Sequence, residues 1–171
     1  MVPIDVTLTK KQALELNEAR SKIRKPVTYM AKFDQDVFRL GSINDSKIDR
    51  VRFLEDDRPL QKKNRSTGDL EDKSNEIITY KDDDVLYVLG KSGGVSLFSG
   101  QSPKLKLNKN DRWHLIPKGL EVPSGLVIAK DKQVDRNGHF HYAIQPEKDM
   151  MMDSFLKLLK IVKSDKRIKV L

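Results

Sequence analysis

A series of short segments rich in β-branched and aromatic residues, each followed by a turn signal, fills the middle of this chain and limits its fold class. Helical patterns flank the series. Thr9 and Gln12 form a capping-box pattern that opens a first helix, expected over about residues 9–24 because Pro26 forbids its continuation. An apolar stripe at helical spacing closes the chain and comprises Met152, Phe155, Leu156, Leu159 and Val162. This order predicts an α+β domain on antiparallel or mixed sheet and argues against repeating βαβ units.

The predicted strands are divided by turn residues. They cover residues 27–33, 37–40, 77–80, 85–89, 95–98, 113–116, 126–129 and 139–144. The pair Asn137-Gly138 is a hairpin signal that favours a type I′ turn, because such a turn needs a positive φ at both central residues. Charged residues dominate the stretch 48–75, so an irregular or partly helical excursion is expected there.

Size and charge narrow the classes of function. The chain has 171 residues, which suits one domain with its own hydrophobic core. Its 33 basic and 25 acidic side chains leave a net charge of +8, so nucleic acid, nucleotide phosphates or an acidic protein are the expected partners. The absence of cysteine excludes disulfides, thiolate nucleophiles and iron–sulfur clusters. No apolar run suits a signal peptide or a membrane span, so no membrane insertion is expected.

A polar column on the last predicted strand is the most informative local feature. His139, His141 and Gln145 share one face by the two-residue period of a strand. Burial of these polar side chains costs desolvation free energy unless they bind a ligand. The alternative is an edge strand whose polar face is exposed to solvent. The two histidines could form half of a metal site, but His114 is the only other histidine and no cysteine is available, so we expect no metal.

Other positions are also candidates for binding. Arg39 lies between strand formers and could direct a bidentate cation at a phosphate or ribose, or be an ordinary surface arginine. Gly93 and Gly94 precede Ser96 and allow a close backbone approach to a ligand, or simply form a turn before a strand serine. No GxSxG elbow surrounds Ser96, and the Gly-Lys-Ser/Thr ending of a P-loop is missing.

Four ordered motifs carry a resemblance to a known family. They are Asp84-Val85-Leu86-Tyr87, Gly93-Gly94-Val95-Ser96-Leu97-Phe98, Ile116-Pro117-Lys118-Gly119 with Pro123 and Leu126-Val127-Ile128, and His141-Tyr142-Ala143-Ile144-Gln145-Pro146. In this order and approximate spacing the chain resembles the second type VI secretion exported effector family. Its members are small cytotoxins with an ADP-ribosyltransferase-like fold. The resemblance runs from about residue 84 to about residue 162, with a weaker match from residue 36.

The resemblance implies a split, mostly antiparallel sheet with N-terminal and C-terminal helices and a cleft for NAD. Residues 1–26 would be a helical extension, and residues 27–171 a single ADP-ribosyltransferase-like domain. By analogy, the catalytic residues would be Ser96, His141 and Gln145, and NAD would be bound by Arg39, Tyr87, Ser96 and His141. A second register places Tyr29 on the first strand of the family, and Arg39 then has no part in the site.

The implied function is a NAD-dependent cytotoxin. The family's catalytic glutamate has only Gln145 and Glu147 as counterparts, so ADP-ribosyltransferase activity, NAD hydrolysis and a repurposed fold stay open. The resemblance also implies type VI secretion, action in the cytoplasm of a target cell on a protein or nucleic-acid acceptor, and an acidic immunity protein.

Two alternatives need no such resemblance. A non-enzymatic nucleic-acid-binding module would explain the charge of +8, although aromatic residues make up only 6% of the chain. A ribonuclease-type toxin using His139, His141 and Lys130 has suitable residue types but no positional support.

Overall fold

The computed structural model describes residues 8–51, 53–54, 61–63, 70–72, 77–101 and 107–171. Within them the helices are α1 (Lys10–Ser21) and α2 (Met152–Lys163). The strands are β1 (Val27–Met30), β2 (Val37–Ser42), β3 (Phe53–Leu54), β4 (Gln61–Lys63), β5 (Leu70–Asp72), β6 (Ile77–Asp82), β7 (Val85–Val88), β8 (Val95–Phe98), β9 (Asp111–Ile116), β10 (Leu126–Val134), β11 (Phe140–Pro146), β12 (Met150–Met151) and β13 (Lys169–Val170). The predicted α+β class, with a helix near each end, is confirmed.

The strands form a split and mostly antiparallel arrangement, as the resemblance implies. A seven-stranded sheet has the order β1-β10-β11-β8-β2-β9-β13, with antiparallel neighbours throughout. A second sheet has the order β12-β7-β6-β3, in which only β3 and β6 are parallel. Strands β4 and β5 pair separately, within the stretch that was expected to be irregular or partly helical. Within the same stretch, residues 52, 55–60, 64–69 and 73–75 lie outside the described residues.

The main core lies between the two sheets and α2, and it decides which face of the seven-stranded sheet is free. Alternate residues of β8 and β11, namely Val95, Leu97, Tyr142 and Ile144, point into this core. The predicted apolar stripe of α2 covers them, and its buried members are Phe155, Leu159 and Val162. The intervening residues of the same strands therefore face the opposite side of the sheet, where the cleft lies.

Helix α1 packs against the second sheet. It begins at the predicted capping box, in which Thr9 Oγ1 accepts from Gln12 N at 3.2 Å and Gln12 Oε1 accepts from Thr9 N at 2.9 Å. Arg20 is fully buried and donates to the carbonyl of Ser92 at 2.8 Å. A small apolar cluster joins the N-terminal segment to β6 and the end of β7, comprising Leu8, Ala13, Ile78, Tyr80 and Leu89. The domain boundary at residue 26 stays a prediction, but the segment before it shares a core with the second sheet.

The hairpin turns differ from the sequence prediction. Asp83 and Asp84 connect β6 and β7 with φ values of 47° and 61°, the left-handed pair that a type I′ turn requires. Strands β10 and β11 do form the predicted hairpin, but of Asn137 and Gly138 only the glycine has a positive φ, 74°. The prediction of a type I′ turn at Asn137-Gly138 is therefore wrong.

Asp135 explains the longer loop between β10 and β11. Its Oδ1 accepts the main-chain N–H groups of Asn137 at 2.8 Å and of His139 at 3.0 Å. The Asp135 N–H in turn donates to the carbonyl of His139 at 2.8 Å, and Gly138 N–H donates to the carbonyl of Asp135 at 3.1 Å. These bonds close a loop at Asp135 and His139 in place of a two-residue turn.

No helix in the described part of the chain has the length and apolarity that crossing a bilayer requires.

Candidate functional site

A cleft of about 700 Å³ opens on the face of the seven-stranded sheet that lies opposite the main core. Small side chains make the floor hollow. Ala129 of β10 and Ala143 of β11 pair with each other, and their outer neighbours in the same row are Tyr29 of β1 and Ser96 of β8. Because alanine side chains extend so little from the sheet, the larger residues around this row become the ends and walls of the cleft.

His141 lies at one end of the floor, and both of its ring nitrogens face a partner. Nε2 lies 3.1 Å from Ser96 Oγ, and Nδ1 lies 3.6 Å from Asp131 Oδ2. The ring of Phe98 packs against the imidazole at a tilt, with 5.4 Å between ring centres. These contacts fix the orientation of an imidazole that lines the cleft.

Asp131 is a candidate that the sequence reasoning missed. Its side chain is 20% exposed, and it lines the cleft beside His141. Asp135 also lines the cleft, but its carboxylate accepts the main-chain N–H groups of the hairpin loop. Asp131 is therefore the lining carboxylate that can respond to positive charge on a ligand.

Ser96 reaches the cleft through His141. Its hydroxyl contacts the imidazole, but the residue is not among those that line the cavity. A serine in this place is suited to orient the histidine. The expectation that Ser96 lies under nicotinamide stays a prediction, and the geometry favours a positioning role.

Gln145 shares the face of His141, as the two-residue period predicts, and both line the cleft. The two residues are four positions apart on β11, which corresponds to about 13 Å of extended strand. Gln145 is 6% exposed, and its Oε1 has no hydrogen-bond partner among the described residues. His141 and Gln145 therefore mark two ends of the floor and would contact different parts of a ligand. The catalytic role of Gln145 stays a prediction.

The guanidinium of Arg39 is occupied by main-chain carbonyls. It donates to Ser96 O at 2.9 Å, to Lys47 O at 2.9 Å and to Arg50 O at 3.1 Å. The preceding Phe38 pairs with the cleft-facing Phe98, so Arg39 takes the opposite face of β2 by alternation. The structure does not bring Arg39 to the cleft, and its predicted contact with a phosphate or ribose stays a prediction.

Of the two first-strand registers, the one with Tyr29 places a residue in the cleft. Tyr29 lines the cavity from β1. Tyr87 belongs to the second sheet, where its ring stacks on Tyr80 with 5.5 Å between centres and 9° between planes. The predicted stacking of Tyr87 on NAD stays a prediction, since the residue is not among those that line the cleft.

His139 does not continue the polar column. Its ring lies against Gly100, where a Cβ atom would be 2.3 Å from the imidazole Cε1. Lys130 pairs with Tyr142 and therefore takes the face of the sheet opposite to His141. The three residues of the ribonuclease alternative are thus not brought together.

Gly94 lies close against the backbone of strand β11. A Cβ atom at this position would lie 2.1 Å from the carbonyl oxygen of Ile144 on β11, and 2.9 Å from Cγ of Gln145. The predicted close approach to a ligand is replaced by backbone contact between β11 and the residue that precedes β8. Only glycine lets the chain enter β8 this tightly against the Gln145 end of the floor.

The N-terminal segment forms one wall of the cleft. Its lining residues are Asn17, Ser21, Ile23, Arg24, Lys25, Pro26, Val27 and Tyr29. Arg24 attaches this wall to the loop before β8 by donating to the carbonyl of Lys91 at 2.9 Å and to the carbonyl of Ser92. Lys91 completes the basic lining, with its ammonium 4.7 Å from the centre of the Tyr29 ring.

The lining of the cleft carries charges of both signs. NAD combines an anionic pyrophosphate with a cationic nicotinamide ring, and a drug-sized ligand occupies a cavity of this order of volume. Lys25 and Lys91 supply positive charge, whereas Asp131 supplies a carboxylate beside His141. The buried Oε1 of Gln145 has no hydrogen-bond donor among the described residues, and NAD carries amide and amino groups.

Comparison with known proteins identifies the family. The family model described as Tse2 ADP-ribosyltransferase toxin matches residues 35–165, which include β2, β8, β10, β11 and α2. No curated protein matches the chain. The match favours an enzyme over the non-enzymatic nucleic-acid-binding alternative. The chain therefore belongs to the Tse2 ADP-ribosyltransferase toxin family and is a toxin with ADP-ribosyltransferase activity, for which NAD is the implied substrate.

Proposed function

We propose that this toxin binds NAD with the nicotinamide end beside His141 and Asp131 and transfers ADP-ribose to a protein or nucleic-acid acceptor in the cytoplasm of a target cell. The observation that carries the proposal is the chain of contacts from Asp131 through His141 to Ser96 at one end of the cleft. A carboxylate, an imidazole and a hydroxyl that contact one another in a row provide both charge stabilisation and a proton acceptor.

Asp131 supports the step that releases nicotinamide. ADP-ribosyl transfer breaks the bond between ribose C1 and the nicotinamide nitrogen, so positive charge develops on that ribose. A fixed carboxylate at the developing charge stabilises the transition state more than the ground state. Gln145 carries no charge and lies at the far end of the floor, and Glu147 is exposed and does not line the cleft. Asp131 is therefore the better placed group for this role.

His141 supports the step that attaches the acceptor. The incoming hydroxyl or amine must lose a proton, and an imidazole is suited to accept it. With Nδ1 facing Asp131, the proton passes to Nε2 as the acceptor displaces the Ser96 hydroxyl from that nitrogen. Ser96 contacts Nε2 of the ring and Asp131 contacts Nδ1, so the orientation of the imidazole is set before the ligand binds. The same arrangement would hydrolyse NAD when water takes the place of the acceptor.

The test is nicotinamide release from NAD by the purified protein, with label transfer from NAD to lysate proteins and nucleic acids as the second readout. We expect His141→Ala to slow transfer of the ADP-ribose label to acceptors at least about 100-fold, the size of a lost general acid–base contribution. His139→Ala is the matched control, because that ring packs on Gly100 outside the cleft lining, and it should leave the rate unchanged. Equal rates for His141→Ala and the parent would refute the site, and a parent without nicotinamide release would refute the function.

We further propose delivery by a type VI secretion system and neutralisation by an acidic immunity protein. The net charge of +8 and the basic wall of the cleft suit an acidic partner that covers the NAD site. Expression in the cytoplasm of a host should arrest growth, and co-expression of a small acidic protein encoded beside the toxin should restore it. A toxin that the neighbouring protein neither binds nor neutralises would contradict this part of the proposal.

A further inference from the structure

We propose that Tyr29 and Lys91 form an adenylate subsite, in which the Tyr29 ring stacks on the adenine base and the Lys91 ammonium pairs with the pyrophosphate. The inference rests on the proposed function, since the adenylate would be the ADP half of NAD. It also makes a claim of its own, because such a subsite binds ADP in the absence of any reaction.

Tyr29 has the exposure and the surroundings of a stacking platform. It is 43% exposed on β1, the edge strand of the seven-stranded sheet. Tyr29 pairs with Ala129 of the neighbouring strand β10. Because the alanine side chain is small, it does not cover the Tyr29 ring, which lines the cleft. A half-exposed aromatic ring that lines a cleft offers the flat surface on which nucleobases stack.

Lys91 is held in an unfavourable backbone conformation that keeps it at the cleft. Its φ is 54°, in the left-handed region that a lysine adopts at a cost. The main chain is fixed on both sides, because its N–H donates to Pro146 O at 2.7 Å and its carbonyl accepts from Arg24 at 2.9 Å. Strain of this kind persists only where the surroundings impose it, and it is common at ligand sites.

The Lys91 ammonium is available to an anion. It lies 4.7 Å from the centre of the Tyr29 ring, and among the residues that the structure describes no carboxylate forms a salt bridge with it. The ammonium lies over the face of the ring, so a base that stacks there takes its place, and the displaced cation, which has no acidic partner in the described part of the chain, pairs with the phosphate oxygens of the same ligand.

Charge decides which end of NAD belongs here. The nicotinamide ring of NAD is cationic and would be repelled by the Lys91 ammonium, whereas adenine is neutral and carries the phosphates with it. The carboxylate that suits the cationic ring is Asp131, beside His141. The adenine amino group also matches Gln145, whose buried Oε1 lacks a donor and which immediately precedes Pro146, the residue that holds Lys91.

The subsite depends on a segment that the family match does not include. Tyr29 and the wall that carries Arg24 lie before residue 35, where the match to the toxin family begins. The family match therefore covers Lys91 but not Tyr29, and the pairing of the two residues comes from the geometry of the cleft.

Calorimetric titration of the full chain with ADP tests the subsite. The parent should bind ADP, and Lys91→Ala and Tyr29→Ala should each weaken binding about tenfold, the effect of losing one charge-assisted or stacking contact. Tyr29→Phe keeps the ring and should bind ADP within about twofold of the parent. The control Lys22→Ala removes an exposed lysine at the end of α1 that does not line the cleft, and its affinity should not change. Inosine diphosphate, which has a carbonyl in place of the adenine amino group, should bind more weakly than ADP.

The outcomes separate this inference from the proposed reaction. Unchanged ADP affinity in Lys91→Ala and Tyr29→Ala, equal affinity for ADP and inosine diphosphate, or no ADP binding by the parent would each overturn the subsite. Nicotinamide release measured on the same samples reports on the reaction. A parent that releases nicotinamide while its Lys91→Ala variant binds ADP normally refutes the subsite alone, and a parent that binds ADP as described without releasing nicotinamide refutes the reaction alone.

Discussion

His141 Nε2 and Ser96 Oγ lie 3.1 Å apart across the neighbouring strands β11 and β8. The contact is diagonal, because Ser96 pairs with Ala143 and His141 pairs with Phe98 in the strand register. The small side chain of Ala143 leaves the serine hydroxyl free to reach the imidazole. This geometry suits Ser96 to position the imidazole of His141.

Replacement of Ser96 by alanine should lower kcat for label transfer to the acceptor about tenfold while KM changes little, since a hydrogen bond that orients the imidazole is lost. Nitrogen-15 NMR of His141 should report the change directly, because the hydroxyl is the partner of Nε2. An unchanged His141 spectrum, or a loss that appears only in KM, would contradict the positioning role.

Gly94→Ala should destabilise the fold by about 3 kcal/mol or more, because its Cβ would lie 2.1 Å from a main-chain oxygen that cannot move cheaply. Gly138→Ala is the comparison. That position has open space around it and only a positive φ of 74°, so a cost of about 1 kcal/mol is expected. Denaturant unfolding of both variants checks the order, and similar losses would show that the close contact with β11 has no energetic weight.

The loop after β1 is joined to β10 and β11 by Asp34. Its carboxylate accepts from Lys130 at 2.7 Å and from the buried Tyr142 hydroxyl at 2.5 Å. Burial by itself raises the pKa of Asp34, but the hydrogen bonds from Lys130 and Tyr142 outweigh it and hold the pKa below its ordinary value.

The lowered pKa gives the stability a defined pH dependence. The contribution of Asp34 should be complete above its unfolded pKa of about 3.9 and should be lost as the pH falls through the lower folded pKa. Asp34→Asn should therefore be less stable than the parent at pH 7, by about 1 kcal/mol at most because the Asp34 side chain is 43% exposed and solvent screens its ion pair, with the gap closing below pH 4. A gap in the free energy of unfolding that stays constant from pH 7 to pH 3 would refute this account.

Removal of residues 1–26 tests whether the N-terminal segment is an extension or part of the domain. The truncation uncovers Ile78, Tyr80 and Leu89 and removes Arg20, which is fully buried against the loop at Ser92. The shortened chain should unfold at a clearly lower denaturant concentration than the parent, because buried apolar area is lost. Coincident unfolding curves would support the sequence-based boundary at residue 26.

Local sequence signals predicted the helices and the alternation on the strands. The capping box at Thr9, the apolar stripe from Met152 and the shared face of His141 and Gln145 all appear in the structure as expected. Each of these features depends on residues that are close in sequence, so the period of the pattern is sufficient to find them.

The position of Asp131 could not be found in the same way, because it depends on the register between β10 and β11. A two-residue turn at Asn137-Gly138 would place Asp131 opposite Ile144. The actual loop is capped by Asp135, and β10 shifts register between Lys130 and Val134, which brings Asp131 beside His141. A side chain that bonds to its own loop backbone thus changed the register that sequence alone favours.

The most direct test of the account compares two carboxylates that line the same cleft. Asp131→Asn should lower kcat for nicotinamide release by about 10²–10³-fold, because it removes the charge beside His141 while preserving shape. Asp135→Asn alters a carboxylate that accepts loop N–H groups, so it should lower stability and leave kcat near that of the parent. An Asp131→Asn protein that releases nicotinamide as fast as the parent would contradict the central claim.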